Sequence, residues 1–127
     1  MDVLKSYDFC TYFDINYLAR GLALYGSLEE HCGGFRLWIL CMDENVYRAL
    51  SQMALPKAVL IPIWDLEAGD NALAEAKKNR SRIEYYFTCT PSLVLYILNN
   101  FREAGFITYL DADLYFFYSP SVIFNEI

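Results

Sequence analysis

The sequence predicts an α/β domain, a mainly parallel sheet flanked by helices, on three observations. Short β-prone or apolar runs alternate with segments of helical spacing along the whole 127-residue chain. The inner run is almost continuously apolar, as expected of a parallel strand covered on both faces. Apolar residues reach 56% and aromatic residues 17%, against 20% charged, a load that suits such covered strands and excludes disorder.

The elements follow in order. Tyr7 to Phe13 (YDFCTYF) is aromatic and β-prone, a first strand. Asp14 or Asn16 then caps a helix in which Leu18, Leu22 and Tyr25 recur at helical spacing, with Leu28 following and Gly33-Gly34 as its stop. Phe35 to Met42 (FRLWILCM) is the buried central strand. Asp43 caps a second helix that places Val46, Leu50 and Met53 on one face and ends by Pro56. Lys57 to Trp64 (KAVLIPIW) is a third strand, and Pro62, which cannot donate to a ladder, marks an edge or a strand end. Asp65 to Asn79 is more polar and helical in its second part. Thr90-Pro91 is a helix-start signal for the segment ending at Phe101, and the upstream Glu84-Tyr-Tyr-Phe is compatible with one helix running through both. Gly105 to Leu110 (GFITYL) is the fourth strand and runs directly into Asp111-Ala112-Asp113.

Length and charge narrow the function. The chain fits one domain and is short for an enzyme with two substrate sites. A net charge of -6 disfavours nucleic acid and anionic membranes as partners. Local positive charge is still available from Lys77, Lys78, Arg80 and Arg82 for a small anionic ligand. Cys10, Cys32, Cys41 and Cys89 have no CxxC spacing and read as buried reduced thiols. His31 beside Cys32 makes a poor metal pair, because neighbours at a helix end point apart. The opening MDVLKS lacks a signal pattern, and no apolar stretch approaches the ~20 residues of a membrane span, so a cytoplasmic location is expected.

The chemistry concentrates at Asp111 and Asp113. On an extended backbone, residues two apart project to one side at roughly 6 to 7 Å, so both carboxylates reach one ion. Hard oxygen ligands suit Mg2+ or Mn2+, which can bridge to phosphate oxygens and stabilise a diphosphate leaving group. Ala112 keeps bulk low where a ribose or phosphate must approach. A solvated strand end is the plain reading of an isolated Asp-x-Asp, but here it follows a strand at the edge where α/β sheets bind ligands. Tyr115, Phe116, Phe117 and Tyr118 read as packing residues more than as a sugar-stacking platform.

The run Asp111-Ala-Asp-Leu-Tyr-Phe-Phe, with Phe13-Asp-Ile-Asn-Tyr-Leu-Ala-Arg-Gly-Leu-Ala-Leu-Tyr-Gly-Ser-Leu28, resembles the amino-terminal half of GT-A fold glycosyltransferases. These are Rossmann-like nucleotide-diphospho-sugar transferases, in the broad grouping near glycosyltransferase family 8. The resemblance covers nearly the whole chain and implies a single nucleotide-sugar-binding domain over residues 1–127. It implies a metal-dependent transferase that takes a nucleotide-diphosphate sugar and passes the sugar to an acceptor the sequence does not identify. Asp111 and Asp113 would hold the Mn2+ or Mg2+ on the diphosphate. Thr11, Tyr12, Phe13 and Asp14 fall at the base and ribose end, and Tyr17 at the position of a base-stacking aromatic. Lys77, Arg80 and Arg82 lie where such enzymes place a cation toward the donor phosphates, with Arg82 the preferred one. Enzymes of this kind continue beyond the metal motif, so the resemblance implies a truncated chain in which donor binding outlasts catalysis. An open sheet edge beside Tyr115 to Tyr118 would then favour a homodimer.

Two other classes compete. A haloacid-dehalogenase-like phosphatase also ends a strand in Asp-x-Asp, but that motif normally opens the domain, and here nothing downstream supplies the lysine and acidic pair of that chemistry. A non-catalytic nucleotide-sugar-binding or interaction module is the alternative that truncation favours.

Overall fold

A computed structural model of the chain describes residues 6–101 and 106–124. Gly105, the expected start of the fourth strand, lies outside the described residues, as do residues 1–5, read for a targeting signal, and the tail 125–127.

Four parallel strands form one sheet in the order β3-β2-β1-β4: β1 Tyr7–Phe13, β2 Phe35–Cys41, β3 Ala58–Pro62 and β4 Ile107–Tyr109. All carboxyl ends therefore point to one side, where ligands bind in sheets of this class. β1 and β2 are internal and carry the longest buried runs, whereas β3 and β4 are edges. Pro62 closes an edge strand, where its missing N–H costs no ladder bond.

Helices α1 (Leu18–His31), α2 (Glu44–Met53), α3 (Ile63–Ala68), α4 (Asn71–Asn79), α5 (Arg82–Asn100) and the four-residue α6 (Ser121–Phe124) complete the layers. Alternation along β1 and β2 divides the core in two. Phe9, Phe13, Phe35, Leu37 and Ile39 pack with α1 and α2, and Cys10, Trp38 and Leu40 pack with α3, α4 and α5. Among the described residues, no helix is long and apolar enough to cross a membrane.

Several expectations shift. Asp14 caps a single 3-10 turn, Ile15–Tyr17, through the Asn16 N–H before α1 begins. Met53 is exposed at the end of α2, because Ala54 turns left-handed at φ 51° and ends the helix before its last turn can reach the sheet. The region after β3 holds α3 as well as α4, since Ile63 and Leu66 bury against the sheet as soon as Pro62 ends the strand. Thr90-Pro91 is not a helix start. Ser81 caps α5 in a capping box with Glu84, and the helix runs through Pro91. Tyr85, Cys89, Leu93 and Ile97, spaced four apart, are its buried stripe, and that stripe holds the helix across the proline. The carbonyl that Pro91 leaves without a donor belongs to exposed Phe87. Of the four aromatics Tyr115 to Tyr118, Phe116 alone turns inward, with its ring 6.4 Å from that of Phe9 and its N–H donating to Ser27 Oγ at 3.0 Å. Tyr115, Phe117 and Tyr118 are exposed, so three of the four expected packing residues do not pack.

Two constraints fix the register. Buried Asp8 receives Arg36 Nε at 2.8 Å, Arg36 Nη2 at 3.1 Å and Trp38 Nε1 at 3.0 Å, tying β1 to β2 near their amino ends. At the other end of the strand, buried Phe13 lies against Gly21 of α1, where an added Cβ would stand 2.3 Å from Phe13 Cζ.

Gly21→Ala separates two opposed effects. Helix propensity favours alanine by about 1 kcal/mol, but overpacking costs about 1–3 kcal/mol, and a ring inside the core cannot swing away. A net loss of unfolding free energy is expected by urea denaturation, and a stabilised variant would contradict this packing. Asp8→Ala, which removes the carboxylate that Arg36 and the buried Trp38 Nε1 both donate to, is expected to cost about 2 kcal/mol in the same measurement.

Candidate functional site

The carboxyl ends of β1 and β2 are held by two carboxylates. Asp43 Oδ1 accepts the Val46 N–H at 2.7 Å and so caps α2, while its Oδ2 accepts the Ile15 N–H at 3.1 Å from the turn after β1. Asp14, buried just after β1, takes Arg82 Nη2 at 2.6 Å and the Tyr86 hydroxyl at 3.1 Å. Arg82 Nε also donates to the Tyr86 hydroxyl at 3.0 Å. The first turn of α5 is thereby fastened over the end of β1.

Beside this fastening lies a cleft of about 330 Å³ lined by Met42, Asp43, Ile63, Lys77, Arg80, Arg82, Tyr85 and Tyr86. It gathers the three cations expected from the sequence, and they differ in what they hold. Lys77 pairs with Glu67 at 3.1 Å, and Glu67 also accepts the Tyr85 hydroxyl. Arg82 is committed to Asp14. Arg80 donates to the Thr88 hydroxyl at 2.9 Å, which leaves its charge less neutralised than that of the other two.

A line of tyrosines leads from the cleft to the acid pair. The Tyr12 ring stands 5.9 Å from Tyr86 on one side and 5.9 Å from Tyr109 on the other. Burial, chiefly, pushes all of these hydroxyls above the ordinary tyrosine range; for Tyr109 the neighbouring Tyr12 and Asp111 add to it, and for Tyr85 the Glu67 carboxylate does.

Asp111 and Asp113 follow β4 at the carboxyl edge and are exposed. The backbone there does not stay extended. It turns at Ala112 and Asp113, and the Leu114 N–H donates to the Asp111 carbonyl at 3.1 Å, because burial holds the chain only as far as Leu110. The pair therefore sits on a turn and not on one face of a strand. Among the described residues no group of three or more His, Cys, Asp and Glu side chains gathers as a metal site.

The remaining expected residues divide. Thr11 and Phe13 are buried in the core, on the face that packs against α1, so their side chains do not meet the cleft. Tyr12 and Asp14 reach it through Tyr86. Tyr17 is 46% exposed, with the Arg20 guanidinium 5.0 Å over its ring. Ala112 is half-buried against the α1-side core. Sequence reading missed Glu67, Tyr85 and Tyr86. The fourfold spacing from Tyr85 to Ile97 was the available signal for the α5 face that carries Tyr85; Glu67, on α3, had none.

Fold and site together define a parallel α/β domain with a cationic, tyrosine-lined cleft and an acidic turn at the carboxyl edge of one sheet. The chain is similar to two curated proteins of Bacillus subtilis (strain 168), both described as uncharacterized. YfnD is 28% identical over 123 residues, which are 97% of this chain and 39% of that protein. YfnF is 34% identical over 118 residues, 93% of this chain and 38% of that protein. The chain thus spans less than two-fifths of the length of either relative. No protein-family model matches it.

Raised tyrosine values set a pH dependence. An unfolded tyrosine releases its proton near pH ~10, whereas Tyr12, Tyr85, Tyr86 and Tyr109 hold theirs longer when folded. The unfolded state then binds fewer protons, so this contribution to stability is complete below that pH and is lost as pH rises through it. Phenolate absorbance of the native chain is expected to lag that of the urea-unfolded chain above pH ~10, and coincident curves would contradict the burial of these hydroxyls.

Proposed function

We propose that this domain binds a nucleotide-diphosphate sugar at its carboxyl edge, as the donor-binding part of a metal-dependent glycosyltransferase. The observation that carries the reading is the joining of the cationic cleft to the acidic turn by Tyr86, Tyr12 and Tyr109. A nucleoside diphosphate needs positive charge for its phosphates and a cation to bridge them, and both kinds of group lie on one edge of one sheet.

The residues fit such an ion in kind. Asp111 and Asp113 are hard oxygen donors, both exposed, and neither forms an ion pair among the described residues. Two carboxylates leave most positions of an Mg2+ or Mn2+ shell to water and phosphate oxygens, a common arrangement for ions that bind with a phosphorylated ligand. When bound, the ion would supply charge neutralisation to a departing diphosphate. Arg80 would meet a phosphate directly, and Arg82 would hold the cleft open through Asp14. The acceptor and the transfer step belong to a longer protein in this reading.

Calorimetric titration of a nucleoside diphosphate with and without Mn2+ tests the proposal. Tighter binding with the metal is expected, together with loss of that enhancement in Asp113→Asn at unchanged circular dichroism. Equal affinity in the variant would move the ion elsewhere. Absence of any nucleotide binding would end the reading. Arg80→Gln is expected to weaken binding about tenfold or more, the loss of one charge-assisted phosphate contact.

A further inference from the structure

We infer that the outward face of α5 pairs with the same face of a second copy of the chain, the two helices crossing antiparallel at Pro91. Helix α5 carries two apolar stripes. Tyr85, Cys89, Leu93 and Ile97 are buried in the core on one side of the sheet. Ile83, Phe87, Pro91 and Leu95 repeat at the same spacing but two residues out of step, ~200° round the helix. All four are exposed, Ile83 and Phe87 at 69% and Leu95 at 59%, and exposed Leu98 extends the stripe toward the carboxyl end. A helix that is apolar on opposite sides is one that a further element covers.

Charge selects the occupant. Two copies of a chain of net charge -6 repel each other, so they meet most easily on a face that carries no charge. Helix α5 has no charged residue from Tyr85 to Asn100. An anionic membrane fits less well, because no lysine or arginine flanks that length of helix to meet headgroups. The order of residues then selects the geometry. With a two-fold axis at Pro91 and a shallow crossing angle, Phe87 of each copy faces Leu95 of the other, and Ile83 comes beside Leu98. Arg82 and Glu84, the charged residues of the helix, fall at the end where the other copy presents the uncharged Asn99 and Asn100. A parallel pair would set each of those charges against its own copy, which is repulsive.

The size of the stripe sets the strength. Its exposed side chains amount to roughly 500 Å2 per copy and ~1,000 Å2 in a pair, at the small end of specific interfaces, so the dimer dissociates on dilution. Tyr115, Phe117 and Tyr118 form a second exposed apolar patch, but the exposed Asp111 and Asp113 adjoin it, and a two-fold there gathers like charges. Pairing through α5 also braces the helix whose first turn carries the Arg82 and Tyr86 bonds to Asp14.

Sedimentation velocity of the 127-residue chain over a concentration series tests the pairing. A reversible monomer–dimer equilibrium is expected. Leu95→Glu should weaken it about tenfold or more, and Tyr118→Glu should leave it unchanged. Both positions are exposed, so circular dichroism should match the wild type in each variant. Pro91→Cys places a thiol on the axis, and mild oxidation is expected to join two chains there, whereas Tyr118→Cys stays unjoined; Cys10, Cys32, Cys41 and Cys89 are buried and do not compete. A wild-type chain that stays monomeric throughout the series overturns the inference and leaves the face to the rest of a longer protein. A dimer that survives Leu95→Glu, or a Pro91→Cys chain that oxidation leaves unjoined, overturns it as well.

Discussion

The candidate site depends on one buried carboxylate. Asp14 ends β1 and is simultaneously the cap of the following turn and the anchor of Arg82 and Tyr86, residues 68 and 72 positions further along the chain. A buried charge requires partners, and α5 supplies them only when its first turn lies over the end of the sheet. That requirement closes the wall of the cleft opposite β2 and β3. Without it α5 would still pack through its apolar stripe, but would lose the tie that brings its first turn over the end of β1.

Asp43 works with Asp14 on the neighbouring strand. It caps α2 and takes a backbone donor from the turn after β1, so the two internal strands end in carboxylates whose charge is largely spent on backbone and side-chain donors. The acidic residues of the carboxyl edge therefore divide by use. Asp14 and Asp43 are consumed in holding the scaffold, and Asp111 and Asp113 stand exposed. The cations divide likewise. Arg82 and Lys77 answer protein carboxylates, and Arg80 answers a hydroxyl. A sheet whose ends are fixed by some charges can offer the rest to a ligand without losing shape.

This division was only partly legible in the sequence. Four strands, their parallel sense and the placing of Asp111 and Asp113 past the last of them follow from the alternation of apolar runs and helical segments. Lys77, Arg80 and Arg82 were named as anion-facing residues, and all three line the cleft. Thr11 and Phe13 fall at the carboxyl end of β1 as the sequence places them, and alternation turns their side chains to the α1 face while Tyr12 faces α5. Pro91 misled the helix boundary because a local start signal was outweighed by the stripe from Tyr85 to Ile97.

The sequence by itself determined what nearest neighbours and periodicity control: the α/β class, the cap at Asp43, the order of the strands along the chain and the acid pair after β4, whereas the third strand, read as Lys57 to Trp64, stops at Pro62 because Ile63 and Trp64 already belong to α3. It could do so because hydrophobic spacing and capping act within a few residues. Only the tertiary structure decided which charges are spent and which are open. Glu67 finds Lys77 and Tyr85, Asp14 finds Arg82 and Tyr86, and Trp64 finds Tyr47, each across helices or strands that meet only when the sheet closes. Those pairings join residues that have no spacing rule in common, and burial, not local propensity, selects them.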